Sequence, residues 1–224
     1  LFQKFVRYTR FSAASYADSC PNPPYRATVA NFFNVASTDT QGYLFRDDAA
    51  KELILALRGT SDIQDFIIDF TSKLTAYNSV GVSGCDGCQV HTGFLEAWNS
   101  VSSEAIAATN TQLTSHSGYA PRATGHSLGG SLASLASASL MGVGLNPTTY
   151  TFGQARTGNP AYANMIDRIL PFGKMFRVTH SNDGVPQMVP TSDGYRHHST
   201  EFWENDPAGA STTVQCSGQE PLVS

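Results

Sequence analysis

Residues 124–136, TGHSLGGSLASLA, contain the turn that decides the fold of this chain. Ser127 lies between Gly125 and Gly129, and the small and apolar residues that follow predict a helix over residues 128–141. The residues directly before the turn predict the end of a β-strand. A serine at the start of a helix lies beside free backbone N–H groups, which favour a developing negative charge. The pattern indicates a nucleophile; the alternative is an ordinary serine N-cap.

The two glycines that flank Ser127 allow the strand and the helix to pack closely. A side chain at either flanking position would keep the strand and the helix apart, and glycine removes that obstacle. Gly-x-Ser-x-Gly between a strand and a helix is the nucleophile elbow of α/β-hydrolases. Pro121 is awkward within a central strand and is expected to mark its beginning.

The rest of the chain alternates between short apolar strands and amphipathic helices. The run at residues 53–57 is almost wholly apolar, which is typical of a strand buried on both faces. Further strands are predicted at residues 29–36, 43–45, 148–152, 175–179 and 195–203, and further helices at 1–17, 93–113 and 161–170. Strands that alternate with helices predict a mostly parallel α/β sheet.

Composition limits the possible functions. The 224 residues are 41% hydrophobic and 14% charged, and the net charge is −4. This length suits one large domain with a sizeable core, so we expect residues 1–224 to form a single domain. The interspersed charges show no basic footprint for nucleic acid, and no apolar run reaches the ~20 residues that a transmembrane span needs.

Four cysteines are present: Cys20, Cys85, Cys88 and Cys216. Cys85 and Cys88 lie in GCDGC, whose glycines predict a tight surface loop. A zinc site would need two more ligands nearby, and a redox motif would normally open a helix after a strand. A small structural disulfide between Cys85 and Cys88 is therefore the preferred interpretation, and it favours an extracellular compartment.

An apolar stripe lies soon after the strand at residues 53–57. Ile63, Phe66, Ile67 and Phe70 recur at helical spacing within residues 61–72, and acidic residues lie mostly on the other side. One interpretation is an amphipathic helix packed permanently on the core. The other is a helix that exposes this stripe to a lipid surface. Residues 61–72 contain no Lys or Arg that would seek anionic lipid before Lys73.

Several motifs, in order along nearly the whole chain, resemble the secreted fungal class 3 lipases, a family that includes the type A feruloyl esterases. The matching motifs are ALRGT, VHTGFLEAW, TGHSLGGSLA, TYTFGQARTGNPAYA, FRVTHSNDGVPQMVP and YRHHSTEFW. The resemblance implies an α/β-hydrolase fold, with a central, mostly parallel sheet flanked by helices and a short helical lid over residues 61–72.

The resemblance also assigns roles to individual residues. It makes Ser127 the nucleophile and Asp183 the acid of the catalytic triad, and it makes Thr60 and the backbone N–H of Leu128 the oxyanion hole. Asp183 lies in a loop after a predicted strand, where α/β sheets place catalytic groups. An Asx-turn with Gly184 is the structural alternative for Asp183, and Asp193 is the rival acid.

The chain departs from the family pattern at the histidine base. The order in α/β-hydrolases is serine, acid, histidine, and only His197 and His198 follow Asp183. The resemblance gives His197 a structural position and places the catalytic histidine beyond Ser224. We therefore expect a C-terminal piece on a longer or separate chain, with His197 or His198 as the alternative bases. The resemblance likewise pairs Cys20 and Cys216 with cysteines outside this sequence.

These observations predict a secreted, extracellular serine ester hydrolase of the triacylglycerol lipase type, which acts on acylglycerols at an oil–water interface. Neither a cofactor nor a metal is implied. The alternatives are a feruloyl esterase acting on plant cell-wall esters and an inactive lipid-binding relative. The sequence leaves acyl-chain preference, positional preference and oligomeric state open.

Overall fold

The computed structural model describes residues 1–60 and 73–220. The predicted lid over residues 61–72, with Ile63, Phe66, Ile67 and Phe70, lies outside the described residues.

A largely parallel sheet forms the centre of the fold. Its strands, in spatial order, are β1 (Thr28–Val35), β2 (Thr40–Asp47), β3 (Glu52–Leu57), β6 (Ala120–His126), β7 (Thr148–Phe152), β8 (Met175–His180), β9 (Glu201–Glu204) and β10 (Thr213–Gln215). From β3 to β9 all neighbours pair in parallel, whereas β1, β2 and β10 are antiparallel additions. A separate antiparallel pair joins β4 (Leu74–Ala76) and β5 (Gln89–His91). The sheet class predicted from the sequence is confirmed.

Helices cover both faces of this sheet. They are α1 (Phe2–Ala14), α2 (Thr92–Ser115), α3 (Leu128–Gly142) and α4 (Pro160–Ile169). Helices α2, α3 and α4 share one apolar core with the sheet, and α1 packs over a second, largely aromatic core on strands β2, β3, β7, β8 and β9. Every residue of β3 is buried, as its continuous apolar run predicts. Among the described residues, no helix is both long enough and apolar enough to span a bilayer.

The C-terminal strand prediction was wrong in its extent. Of the predicted range 195–203, only residues 201–203 are in a strand, which ends at Glu204. The strand β10 that follows was not predicted. His197 and His198 therefore lie in the loop before β9. Both side chains are buried among polar partners and do not continue a sheet ladder.

The cysteines divide into two groups. Cys85 and Cys88 form the predicted disulfide. No disulfide joins Cys20 to Cys216, so their predicted partners outside the sequence remain an expectation.

Candidate active site

Ser127 lies on the sharp turn between β6 and α3. Its backbone has φ 57° and ψ −127°, a left-handed conformation that costs a non-glycine residue on the order of 1–3 kcal/mol. The turn is held by its own backbone, because the Ser127 N–H donates to the Phe152 carbonyl and the Ser127 carbonyl accepts the Gly130 N–H, each at 2.9 Å. The turn between strand and helix that the sequence predicts is confirmed.

The close contacts around Gly125 and Gly129 leave no room for a side chain at either position. A Cβ added to Gly125 would lie 2.0 Å from the carbonyl oxygen of Gly129, and one added to Gly129 would lie 2.2 Å from the carbonyl oxygen of Leu57. Real Cβ atoms do not approach backbone this closely, so α3 could not pack against β6 and β3 with side chains at these positions. The sequence analysis predicts that side chains at these two positions would keep the strand and the helix apart, and this prediction is confirmed.

The loop that follows β3 packs directly against this turn. A Cβ on Gly59 would lie 3.3 Å from the Cβ of Ser127 and 2.6 Å from the carbonyl oxygen of His126. Thr60 is the next residue, and Leu128 is the first residue of α3, whose N–H has no acceptor within the helix. The structure therefore brings the segments of both expected oxyanion donors to the nucleophile candidate.

The hydroxyl of Ser127 has no competing partner. Its residue is fully buried, and its Oγ makes no hydrogen bond in the part of the chain that the structure describes. A buried hydroxyl without a partner is destabilising in a purely structural role. This observation argues against an ordinary N-cap, as does the lack of a side-chain capping bond at Ser127.

Asp183 reaches the same region from β8. It lies three residues after the end of that strand, and its Oδ1 accepts the Val185 N–H at 3.0 Å, so the Asx-turn considered from the sequence is present. Its Oδ2 remains close to the elbow: a Cβ on Gly153 would lie 2.9 Å from this oxygen and 3.7 Å from Nε2 of His126. One carboxylate oxygen thus shapes the loop while the other faces the elbow.

The rival Asp193 lies elsewhere in the loop. It ends a short 3₁₀ turn over Thr191–Asp193, and its Oδ1 accepts the Ser192 hydroxyl at 3.3 Å. It is exposed, whereas Asp183 is half-buried beside the elbow. The geometry favours Asp183 as the candidate acid.

His126, directly before the nucleophile candidate, contacts Tyr16 and has the carboxylate of Asp183 nearby. Its Nδ1 lies 2.8 Å from the hydroxyl of Tyr16. Burial lowers the pKa of His126, and the nearby Asp183 opposes that shift. Tyr16 was missed by the sequence reasoning, since 110 residues separate it from His126 and no motif connects them.

His197 and His198 are held away from the Ser127 hydroxyl. Nε2 of His197 lies 2.8 Å from the Pro186 carbonyl, and Nε2 of His198 lies 2.9 Å from Nε2 of Gln154 and 3.2 Å from the Ser134 hydroxyl. Burial is the main cause that lowers both pKa values, to about 4 for His198. These contacts match the structural position that the family resemblance implies for His197.

A serine on a strained strand–helix turn, with an acid after a later strand of the same parallel sheet, defines the class of this protein as an α/β-hydrolase. Comparison with known proteins shows which family of α/β-hydrolases the chain resembles.

Fungal lipases match this chain in sequence and in structure. The sequence profile of the family described as Lipase (class 3) matches residues 54–193. The secreted mono- and diacylglycerol lipase 1 of Fusarium solani is 36% identical over 191 residues, which cover 84% of this chain and 54% of that protein. A solved structure of MDLA from Penicillium cyclopium has a TM-score of 0.88 at 30% identity, covering 99% of this chain and 87% of its own. A triacylglycerol lipase whose catalytic centre is described as a serine protease triad has a TM-score of 0.85 at 30% identity, covering 97% of this chain and 85% of its own.

The chain belongs to the class 3 lipase family. It spans 54% of the length of the Fusarium solani relative.

Proposed function

We propose that this protein is a secreted serine ester hydrolase that acts on acylglycerols. The observation that carries the proposal is the backbone of Ser127, which is strained at φ 57° and leaves a buried hydroxyl without a partner among the described residues. Such strain persists where function requires it. Secretion and the acylglycerol substrate are supported by the Fusarium solani relative, which is named a secreted mono- and diacylglycerol lipase.

The proposed chemistry is acyl transfer in two steps. Oγ of Ser127 attacks the ester carbonyl carbon while its proton passes to a histidine that Asp183 orients. The negative charge that forms on the carbonyl oxygen is stabilised by Thr60 and by the Leu128 N–H. The histidine then protonates the departing alcohol, which leaves an acyl-enzyme. Water, activated by the same histidine, hydrolyses that ester and regenerates Ser127.

We further propose that the histidine base is supplied from outside residues 1–224, on a longer chain or a separate fragment. All six histidines of the sequence lie in the described part, and none of them hydrogen-bonds the Ser127 hydroxyl. His197 and His198 are the alternatives left by the sequence, and their polar contacts point elsewhere.

An organophosphonate tests this proposal at the nucleophile. In the full-length protein, the reagent is expected to form a covalent bond to Ser127 alone, because an activated serine displaces its leaving group. Mass spectrometry of the digested protein locates the adduct. An unlabelled Ser127 in folded protein would contradict the hydrolase proposal and favour an inactive lipid-binding protein.

The same labelling experiment tests the base. With His197→Gln or His198→Gln, the rate of labelling should stay within about threefold of the wild-type rate, although thermal stability falls because buried hydrogen bonds are lost. A large drop in labelling at unchanged thermal stability would identify the substituted residue as the base and overturn the external histidine.

We also propose that residues 1–224 form one domain in which residues 61–72 are a lid that opens at an oil–water interface. Ile63, Phe66, Ile67 and Phe70 support this proposal by their helical spacing and by their place directly after Thr60. Burial of each large apolar side chain contributes about 1.5–3 kcal/mol, which favours the open lid on oil and the closed lid in water.

Activity on a long-chain triglyceride is therefore expected to rise sharply when the substrate forms an emulsion, and methyl ferulate should be a poor substrate. The double substitution Ile63→Ser and Phe66→Ser should weaken that rise and preserve activity on short soluble esters, which serve as the control. A preference for methyl ferulate would favour a feruloyl esterase, and the absence of an interfacial rise would contradict the lid.

A further inference from the structure

Three segments that are far apart in the sequence meet at one hydroxyl group. Tyr16 lies just after α1, Gly59 lies in the loop after β3, and His126 ends β6. The Tyr16 hydroxyl lies 2.8 Å from Nδ1 of His126. On its other side it meets the backbone of Gly59 so closely that a Cβ there would be 2.2 Å from the hydroxyl oxygen.

Each contact of Tyr16 is one residue away from a proposed catalytic group. Gly59 precedes Thr60, and His126 precedes Ser127. Burial raises the pKa of Tyr16 to about 12, against the opposing effects of the Gly59 backbone N–H and of Arg58. The group therefore stays a neutral hydroxyl near neutral pH and can donate its proton to the His126 ring.

The segment that carries Tyr16 is itself held in place. The side-chain amide of Gln41 donates to the carbonyls of Ser15 and Ala17, at 2.9 and 3.0 Å, so it fixes the residues on both sides of Tyr16. The Gln41 side-chain oxygen accepts a hydrogen bond from Nη1 of Arg58 at 3.3 Å. The same amide group therefore also contacts the residue before Gly59. These hydrogen bonds hold the chain on both sides of Tyr16 and so help to keep its hydroxyl in one position.

We propose that Tyr16 is a positioning residue that joins the nucleophile turn to the oxyanion loop, so that the donors at Thr60 and Leu128 converge on one oxygen. The inference rests on the proposed function, since only an oxyanion intermediate needs those two segments in register. Donor placement affects the transition state more than the bound substrate. Loss of the Tyr16 hydroxyl should therefore lower kcat and leave KM nearly unchanged.

The test compares Tyr16→Phe with Tyr43→Phe in the full-length protein. The Tyr43 hydroxyl donates to the Ala17 carbonyl at 2.8 Å, so it binds the same segment, and among the described residues it has no hydrogen bond to either catalytic loop. Gln41 still holds that segment without it. Both variants remove one hydroxyl and keep the ring. A soluble short-chain ester is the substrate, so that lid opening does not limit the rate.

For Tyr16→Phe we expect kcat to fall about 10–100-fold with KM within twofold, because a small misplacement of donors costs up to about 10²-fold. The rate of phosphonate labelling at Ser127 should fall in parallel. Tyr43→Phe should keep kcat within twofold, and the two variants should have melting temperatures within a few degrees of each other. If Tyr16→Phe and Tyr43→Phe lose kcat equally, or if Tyr16→Phe loses none while wild-type Ser127 is labelled, the inference is overturned and the proposed function stands. If wild-type Ser127 is not labelled, both fail.

Discussion

Replacement of Ser127 with alanine is expected to lower turnover by several orders of magnitude, on the order of 10⁶ in kcat where a serine nucleophile acts together with its base. Without Oγ no acyl-enzyme forms, and the remaining donors at Thr60 and Leu128 only bind the ester. The measurement is steady-state hydrolysis of a soluble ester by the full-length protein. Residual activity within tenfold of wild type would mean that another residue is the nucleophile.

Stability provides the control for that result. Because the Ser127 hydroxyl is buried and makes no hydrogen bond within the described residues, Ser127→Ala should leave the melting temperature unchanged or raise it slightly. Ser127→Gly should be equally inactive. Its free energy of unfolding should exceed that of Ser127→Ala by about 1–3 kcal/mol, because glycine relieves the left-handed backbone strain at φ 57°. A glycine variant that is no more stable than the alanine variant would contradict the strain that we assign to this turn.

The parts of the fold that local chemistry determines were predictable from the sequence. The strand at residues 148–152 has the predicted bounds, and the helix predicted at residues 128–141 extends by one residue to Gly142. Both follow from a strong local signal: a short run between breakers in the first case, and small apolar residues after a glycine turn in the second. The candidate nucleophile was visible for the same reason.

Features that depend on distant contacts were not predictable. The predicted strand over residues 195–203 was too long at its start. His198 instead forms buried polar contacts with Ser134 of α3 and with Gln154 in the loop after β7. A pattern of apolar and polar residues cannot distinguish such a loop from an edge strand. Tyr16 escaped notice for a similar reason, since its partner His126 is brought near only by the fold.

The acid of the triad gives the second large effect. Asp183→Asn is expected to lower kcat about 10⁴-fold, because an amide neither stabilises the imidazolium nor selects the tautomer that accepts the Ser127 proton. Asparagine keeps an oxygen for the Val185 N–H, which Oδ1 of Asp183 accepts at 3.0 Å, so the loop should keep its shape. The measurement is kcat for a soluble ester, together with the melting temperature.

Asp193→Asn is the matched control for this substitution. It removes one negative charge from the same stretch of chain, at an exposed position, so kcat should stay within about twofold of wild type. Asp183 lies beside Gly153. Gly153 directly follows Phe152, whose carbonyl accepts the Ser127 N–H, so the Asp183 carboxylate lies next to the elbow. A loss of kcat with Asp193→Asn and not with Asp183→Asn would reverse the assignment, and the loop after β8 would then have to move before catalysis.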